Sequence, residues 1–321
     1  YFSGTSQGWV DNCDTFAEIA LRYNPDAKSV MDIACNDGTQ LDSFSKLGLK
    51  TYGIDPAKNL LDISTSKGHD VVCEMFPTQD IDQRNSHDIL VAQNVVAHVP
   101  NPLEFLKGCK KIMHVDSYPF IATSQANMIT NTEFDTIYHE HISYFNTTSM
   151  KCLVERAGMS LVDVFTNEMH GTSYIFVIKI QPEINAVTSK INREKALGLY
   201  EASTYTMWVN QITEKAFNTK KIIEGYRADG YYIVGCGAAA KGITFLNLTK
   251  TKMDMIIDTT PAKWYNEVCD TKIYPFESVR NIKSDKILFV VLAWNFEKEI
   301  TDNIQTIRMN RNDKFITTNS N

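Results

Sequence analysis

SVMDIACNDGTQL, residues 29–41, reads as a short apolar strand that runs through a tight polar turn into a helix. Asn36 and Asp37 occupy the turn, where short polar side chains tolerate unusual backbone dihedral angles, and Gly38 opens the helix. This strand-turn-helix order is typical of α/β sheets that bind nucleotides at the carboxyl ends of their strands. The stretch therefore predicts a parallel sheet with a cofactor at that edge.

Two later segments extend the pattern. TYGIDP (51–56) ends a second strand in Asp55, an acidic residue that can accept both hydroxyls of an adenosine ribose. HDILVAQNVVAHVPNP (87–102) ends a fourth strand at the same edge. The first turn is not the G-x-G-x-x-G fingerprint of dinucleotide-binding proteins. The spacing fits an S-adenosylmethionine methyltransferase, and a doubly wound domain with an ordinary tight turn stays open as the alternative.

The whole chain shows two α/β regions. Short apolar runs alternate with helical stretches from about residue 29 to 180, and apolar residues then recur at helical spacing from about 187 to 228. The predicted strands cover 30–34, 50–54, 70–73, 88–93, 118–123, 161–165, 174–180, 231–235, 255–258 and 287–293. The predicted helices cover 10–22, 38–47, 59–67, 102–112, 148–157 and 238–246.

These elements predict an α/β fold with two sheets. We expect a doubly wound, Rossmann-like methyltransferase domain over residues 1–186 and a helical linker over 187–229. A smaller Rossmann-like α/β domain over 230–321 should follow, joined to the first by long helices.

Composition narrows the function classes. The formal net charge is −6 and no cluster of Lys and Arg follows a phosphate backbone, so nucleic acid is not an expected partner. No apolar run approaches the ~20 residues that a membrane span needs, so no membrane partner is expected either. The seven cysteines are scattered without a C-x-x-C pair, a pattern typical of a reducing cytoplasm. The chain opens at Tyr1 rather than Met, as a fragment would.

Titratable side chains cluster in YHEHISYF (138–145). Histidine has the unperturbed pKa nearest neutrality, so together with Glu and Tyr it suits proton abstraction. His139 and His141 could instead share a strand face as metal ligands, but no third ligand is evident and no metal is expected. The remaining histidines of the first half should be ordinary surface or loop residues: His69, His87 and His114.

Eight motifs follow one another in the order of a known family: YFSGTS (1–6), DIACNDGT (32–39), YGIDP (52–56), NVVAHVPNP (94–102), YHEHISYF (138–145), HGTS (170–173), GCGAAAKGITFLN (235–247) and LAWNF (292–296). In this order the chain resembles the S-adenosylmethionine-dependent sugar C-methyltransferases, which methylate C3 of nucleotide-linked 4-keto-deoxy sugars. The resemblance has two departures. The family's usual N-terminal cysteine-rich zinc-binding domain is not seen, and residues 263–276 differ from a Gly/Pro-containing family loop.

The resemblance implies roles for individual residues. His141 is the expected general base, Tyr138 and Glu140 orient the sugar or hydrogen-bond its C4 oxygen, and His98 is a donor or second acid/base. The expected cofactor is S-adenosylmethionine, bound by Asp32, Ala34, Asn36, Asp37, Gly38, Asp55, Pro56 and Asn94. The expected partner is a nucleotide-diphosphate sugar, with contacts from Tyr1, Phe2 and His170. An O-methyltransferase acting on a glycan and an inactive binding module stay open.

A second glycine loop lies in GYYIVGCGAAAKG (230–242), which matches G-x-G-x-x-A. Asp258 ends the next strand about 20 residues later, so the spacing also favours a nicotinamide-dependent oxidoreductase. A nucleotide-diphosphate sugar carries a pyrophosphate too. We therefore predict that Gly235, Gly237 and Lys241 face the sugar nucleotide, while a simple strand-helix packing turn stays open.

Overall fold

The computed structural model describes residues 4, 7–78, 86–124, 126–167, 172–183 and 185–318. The predicted substrate contacts Tyr1, Phe2 and His170 lie outside the described residues. The chain divides into two compact units. The first comprises Tyr1–Asn127 and Glu140–Gly198, and the second comprises Met128–His139 and Leu199–Asn321.

The first unit contains a seven-stranded sheet in the order β3-β2-β1-β4-β5-β7-β6. Its strands are β1 (Ser29–Ile33), β2 (Lys50–Ile54), β3 (Asp70–Val72), β4 (His87–Gln93), β5 (Met113–Thr123), β6 (Ser160–Asn167) and β7 (Ser173–Lys179). Its helices are α1 (Gln7–Tyr23), α2 (Thr39–Lys46), α3 (Lys58–Ser66), α4 (Pro102–Lys111), α5 (Thr147–Arg156) and α6 (Thr188–Ala196). The neighbouring strands among β1, β2, β3, β4 and β5 pair in parallel. β7 is antiparallel to both of its neighbours, β5 and β6.

Strand alternation places the core of this unit on both faces of the sheet. In β4, Ile89 and Val91 pack in one apolar cluster, whereas Leu90 and Ala92 pack in another. Because successive side chains of a strand point to opposite faces, a continuous apolar run marks a strand that is covered on both sides. β1 lies between β2 and β4, so the strand order reverses there, and this switch point is where open α/β sheets bind ligands.

The second unit contains a six-stranded sheet in the order β10-β11-β9-β8-β12-β13. Its elements are α7 (Ala202–Ala228), β8 (Tyr232–Cys236), α8 (Ala240–Thr249), β9 (Met255–Asp258), β10 (Glu267–Val268), β11 (Thr271–Pro275), β12 (Ile287–Val291), α9 (Glu297–Ile307) and β13 (Lys314–Thr317). β8 pairs in parallel with β9 and β12, as a second Rossmann-like sheet requires. The α/β fold class with two such sheets is confirmed.

The units differ from the predicted boundaries in two places. The helical region predicted as a linker is divided, since α6 belongs to the first unit and α7 to the second. Residues 128–139 also belong to the second unit, although they follow β5 in the chain.

Two histidine predictions were wrong: His69 and His87 are buried, with 5% and 1% of their surface exposed. Among the described residues, no helix is long and apolar enough to cross a membrane.

Candidate active site

A cavity of about 260 Å³ lies at the switch point of the first sheet. Five of the predicted cofactor residues line it: Asp32, Ala34, Asn36, Asp55 and Asn94. They come from the carboxyl ends of β1, β2 and β4, which meet at one edge because these strands are parallel. Asp37, Gly38 and Pro56 were predicted with them but are not among the residues that line this cavity.

The turn after β1 is held in an unusual backbone conformation. Ala34, Asn36 and Gly38 have φ values of 63°, 53° and 79°, in the left-handed region. A Cβ atom at Gly38 would lie 2.8 Å from Cδ2 of the buried His69, so a side chain is excluded there by both backbone angle and space. Glycine at position 38 therefore allows α2 to begin close against the His69 ring, which explains structurally why a residue without a side chain stands there.

Two aspartates fasten the turn. Asp55 accepts hydrogen bonds from the backbone N–H groups of Asn36 (2.9 Å) and Ala57 (2.8 Å). An ionised carboxylate has about four acceptor positions, so others stay available for ligand hydroxyls. Asp37 accepts from the Thr39 hydroxyl at 2.6 Å and from the Gly4 N–H at 2.8 Å. Asp37 therefore shapes the loop and its contact with the start of the chain.

His98 and His141 lie side by side in the first unit. Their ring centroids are 4.7 Å apart with an interplanar angle of 56°, and His141 is buried. His98 Nδ1 is 2.8 Å from the carbonyl oxygen of Glu140, which can only accept, so Nδ1 carries a hydrogen. In neutral His98 the other nitrogen, Nε2, is then an acceptor.

Backbone hydrogen bonds hold the second histidine against the first. The N–H groups of Ile142 and Ser143 donate to the Ala97 carbonyl at 2.8 and 3.1 Å. Since Ala97 precedes His98 and Ile142 follows His141, these bonds set the spacing of the two rings. Both histidines are predicted from the sequence to take part in catalysis, and the fold brings them together although they are far apart in the chain.

The motif 138–145 is divided between the units. Tyr138 and His139 belong to the second unit, whereas Glu140 and His141 belong to the first. The Glu140 side chain is exposed, and its backbone carbonyl is the group that orients His98. Among the described residues, no group of three or more His, Cys, Asp and Glu side chains could hold a metal ion.

The glycine loop of the second unit repeats the hydrogen bonding of the first. Asp258 Oδ2 accepts from the Ala238 N–H and Oδ1 accepts from the Thr260 N–H, both at 2.8 Å. Asp55 is bonded by Asn36 and Ala57 in the same pattern. The two aspartates differ in that Asp258 also has a cation beside its carboxylate.

Lys263 is that cation: its Nζ lies 3.0 Å from Asp258 Oδ2. Burial opposes ionisation of Asp258, but the Thr260 N–H and the Lys263 ammonium outweigh it, and the pKa of Asp258 is lowered. The position that would accept ribose hydroxyls in a dinucleotide site is therefore occupied by a charged partner.

The three predicted residues of this loop have different surroundings. A Cβ atom at Gly235 would lie 2.9 Å from Leu292 Cδ1, so the absence of a side chain lets β8 pack closely. Gly237 has a φ of 89° and forms the turn itself. The Lys241 ammonium lies 3.6 Å from Asp135 Oδ1 and 4.5 Å from the centre of the Trp294 ring.

Two family models match successive parts of the chain. One, a methyltransferase domain, matches residues 7–164, and the other, a C-methyltransferase C-terminal domain, matches residues 168–318. The C-methyltransferase NovU of Streptomyces niveus is 28% identical over 293 residues, which cover 87% of this chain and 69% of that protein. These matches place the chain among the S-adenosylmethionine-dependent C-methyltransferases.

Other proteins match about half of the chain. The ubiquinone biosynthesis O-methyltransferase of Burkholderia thailandensis is 22% identical over 175 residues, covering 49% of this chain and 75% of that protein. The structure of magnesium protoporphyrin IX methyltransferase from Synechocystis PCC 6803 has a TM-score of 0.42 and 12% identity, and the match covers 54% of this chain and 80% of that one.

The cavity of the methyltransferase fits its cofactor. S-adenosylmethionine combines a cationic sulfonium with an adenosine ribose, so it needs carboxylates and other acceptors. Burial, and then the nearby charge of Asp55, raise the pKa of Asp32 well above its usual range, and a cation in the cavity would relieve both effects. Asn94 Oδ1 is buried and has no hydrogen-bond partner among the described residues. Asp32, Asp55 and Asn94 are the residues that would hold the cofactor.

Three polar or aromatic residues of the cavity escaped the sequence analysis: Trp9, Gln40 and Gln93. The Gln93 side-chain amide donates to Gln40 Oε1 at 2.6 Å, and Gln40 Nε2 donates to the Cys13 carbonyl at 3.1 Å. Gln93 is the last residue of β4, so the rule that ligands lie at strand ends could have found it. Trp9 lies on α1, and no local pattern in the sequence relates it to the cavity.

Proposed function

We propose that this methyltransferase moves a methyl group to a carbon atom, C3, of a nucleotide-linked 4-keto-deoxy sugar through an enolate. The pair of adjacent histidines supports this proposal, because a carbon atom becomes a nucleophile only after a base removes its proton. The family model for a C-methyltransferase C-terminal domain is consistent with such an acceptor atom. The sugar, its nucleotide and the position C3 are what the resemblance of the sequence motifs to a sugar C-methyltransferase family implies.

His141 is the proposed base. It takes the proton from C3, the C–H electron pair passes to the C3–C4–O unit, and the C4 oxygen gains negative charge. When bound, S-adenosylmethionine would supply the methyl group, its sulfur keeping the electron pair of the bond that the methyl leaves as the C3 electron pair forms the new C–C bond. Overall, one proton stays on the protein and one methyl is transferred.

In the proposed reaction, His98 is a second acid/base group, and its orientation is fixed by a hydrogen bond. Because its Nδ1–H is bound to the Glu140 carbonyl, its Nε2 is fixed in direction. Neutral His98 accepts a proton at Nε2, and protonated His98 donates one from there to an oxygen that gains charge. Positioned acid–base groups of this kind contribute roughly 10²- to 10⁴-fold to a rate.

A nicotinamide oxidoreductase is the second candidate, since the second unit carries a dinucleotide-like loop. The Asp258–Lys263 ion pair at 3.0 Å argues against it, because the carboxylate that would accept ribose hydroxyls is already neutralised. We propose that the loop at Gly237 instead faces the diphosphate of the sugar nucleotide, which has no need of a free acidic group.

Mass spectrometry on a panel of nucleotide-linked 4-keto-6-deoxy sugars tests the proposal. Each is incubated in D₂O with the protein and S-adenosylmethionine. A protein-dependent methyl mass gain on one member, with deuterium exchange at the acidic carbon when cofactor is omitted, is the expected result. Methylation without exchange would favour an O-methyltransferase, and no mass change on any member would contradict the proposal.

The variant His141→Asn tests the role of His141 in proton abstraction separately from cofactor binding. We expect it to lose roughly 10²-fold or more in turnover while binding S-adenosylmethionine with unchanged affinity in equilibrium dialysis. Asp55→Ala is the matched variant, with the opposite pattern of weaker cofactor binding. Equal turnover of His141→Asn and the wild type would remove His141 as the base.

A further inference from the structure

The segment 128–139 is built into the core of the second unit. Met128 and Phe134 pack in one apolar cluster with Trp208 of α7 and with Ala238 of the glycine loop. The Trp208 indole N–H also donates to the Glu133 carbonyl at 3.1 Å. The segment that ends in Tyr138 and His139 is therefore attached to the second unit by both apolar and polar contacts.

A buried carboxylate lies at the centre of this attachment. Asp135 is 6% exposed, its Oδ2 accepts a hydrogen bond from the Trp294 indole N–H, and its Oδ1 lies 3.6 Å from the Lys241 ammonium. The same ammonium lies 4.5 Å from the centre of the Trp294 ring. The three side chains thus contact one another in pairs, and we call them the clamp.

The clamp joins three motifs that are far apart in the sequence. Lys241 is in the first turn of α8, directly after the glycine loop, and Trp294 follows β12. Asp135 is three residues before Tyr138, and it lies in the turn that the Ile137 N–H closes by donating to the Phe134 carbonyl at 2.9 Å. A displacement of Asp135 would therefore be transmitted along a short hydrogen-bonded turn to Tyr138.

We propose that Lys241 is a positioning residue, which holds Asp135 and thereby places Tyr138 for methyl transfer, rather than a contact to the diphosphate. The charge arrangement carries this assignment, because the half-buried ammonium of Lys241 lies against the buried carboxylate of Asp135 and over the indole ring of Trp294, so its charge is already neutralised. The role of Tyr138 in turnover rests on the proposed function. The clamp itself does not.

A double-mutant cycle on Asp135→Asn and Lys241→Met tests the assignment. Each single variant should lower kcat, by up to about 10²-fold as expected for misplaced catalytic groups, with the KM for the sugar nucleotide changed less than about twofold. The double variant should be no worse than Lys241→Met, because both changes release the same segment. A KM increase for Lys241→Met that adds to the effect of Asp135→Asn would instead make Lys241 a substrate contact and overturn the proposal.

Hydrogen exchange supplies a readout that does not depend on activity. Peptides from 128–139 should exchange at least about tenfold faster in Lys241→Met and Asp135→Asn than in the wild type. Lys241→Arg keeps the charge and should keep most of the protection. Lys298→Met, which removes an exposed lysine of the same unit, is the matched control and should change nothing.

The exchange and activity measurements distinguish a failure of the clamp from a failure of the proposed function. Unchanged exchange in 128–139 in both variants would overturn the clamp even if the protein methylates a sugar. Faster exchange together with a wild-type protein that methylates no sugar nucleotide would refute the proposed function and leave the clamp in place. Faster exchange with unchanged kcat would show that the clamp holds the segment but does not position Tyr138 for turnover.

Discussion

Replacing His87 by leucine should flatten the acid dependence of the first unit's stability. The imidazole of His87 is 1% exposed and its ring centre lies 4.8 Å from that of Tyr52. Neither ring nitrogen has a hydrogen-bond partner within the described part of the chain. Burial lowers the pKa of His87 to about 4, against the opposing charges of Asp88 and Asp70.

The expected loss of stability follows from the two pKa values. The unfolded chain binds a proton at His87 below a pKa of about 6.5, whereas the folded protein does so only below about 4. The contribution of neutral His87 to the free energy of unfolding is therefore fully present above about pH 6.5, and it is lost as the pH is lowered from about 6.5 to about 4. The loss is about 2 kcal/mol at pH 5 and about 3 kcal/mol once the pH is below the folded value.

Urea unfolding at about pH 7.5 and about pH 5 measures this loss. Pulsed hydrogen exchange on peptides of β4 reads the first unit separately from the second. His87→Leu should lose about 2 kcal/mol less than the wild type between the two pH values, because it has no group to protonate. At the higher pH it should be at least as stable as the wild type, since two unsatisfied polar atoms are removed.

His114→Gln is the control for removing a histidine from the same sheet. His114 is half-buried and its Nε2 lies 2.9 Å from Asp88 Oδ1, so its ring has a hydrogen-bond partner that His87 lacks. An equal fall in stability for His87→Leu and the wild type would refute the reasoning. It would mean that the His87 imidazole is hydrated or protonated in the folded protein.

Two further predictions concern carboxyl groups of the first unit. Burial and Asp55 raise the pKa of Asp32, and a cationic cofactor favours its ionised form, so cofactor affinity should increase with pH by up to about tenfold per unit below that raised pKa. Equilibrium dialysis should show no such slope for Asp32→Asn, and a retained slope would assign it to another group. The buried Glu194 carboxylate accepts from the Thr147 N–H at 3.0 Å, the Thr147 hydroxyl at 2.6 Å and the Tyr174 hydroxyl at 3.1 Å. Glu194→Gln should therefore destabilise the first unit by about 2 kcal/mol, as read by exchange of α5 peptides in urea, and a loss under about 0.5 kcal/mol would contradict this.

Several elements could be predicted from the sequence almost to the residue. The predicted strands 50–54 and 255–258 match β2 and β9, and the helix predicted over 102–112 is one residue longer than α4. α4 begins at a proline preceded by Asn101, whose side chain accepts from the Glu104 N–H at 3.2 Å. Such start signals involve residues three apart, so they can be read directly from the sequence.

Other elements escaped prediction because their stability depends on the partner strand. β10 has two residues and β13 has four, and neither carries a long apolar run. β13 pairs with β12 and stacks Phe315 against Phe289 with ring centres 5.0 Å apart. α9 was missed as well, although Ile300, Ile304 and Ile307 recur at the four- and three-residue steps of a helix.

The sequence by itself determined that Asp32, Asp55 and Asn94 meet at one edge of the first sheet, where they line a cavity. Asp32 is the next-to-last residue of β1, and Asp55 and Asn94 directly follow β2 and β4. The carboxyl ends of parallel strands meet at one edge of a sheet. It also determined that His98 and His141 are candidates for acid–base chemistry, because residue type and motif order are properties of the chain itself.

Only the tertiary structure decided how the polar groups are paired. The Asp258–Lys263 pair, the contact of Lys241 with Asp135, and the burial of His87 without a hydrogen-bond partner among the described residues could not be predicted. Residues 128–139 likewise join the second unit although their neighbours in sequence belong to the first. The physical reason is that the strength of a charge or hydrogen bond depends on burial and on partners that are distant in sequence, and the fold alone brings these together.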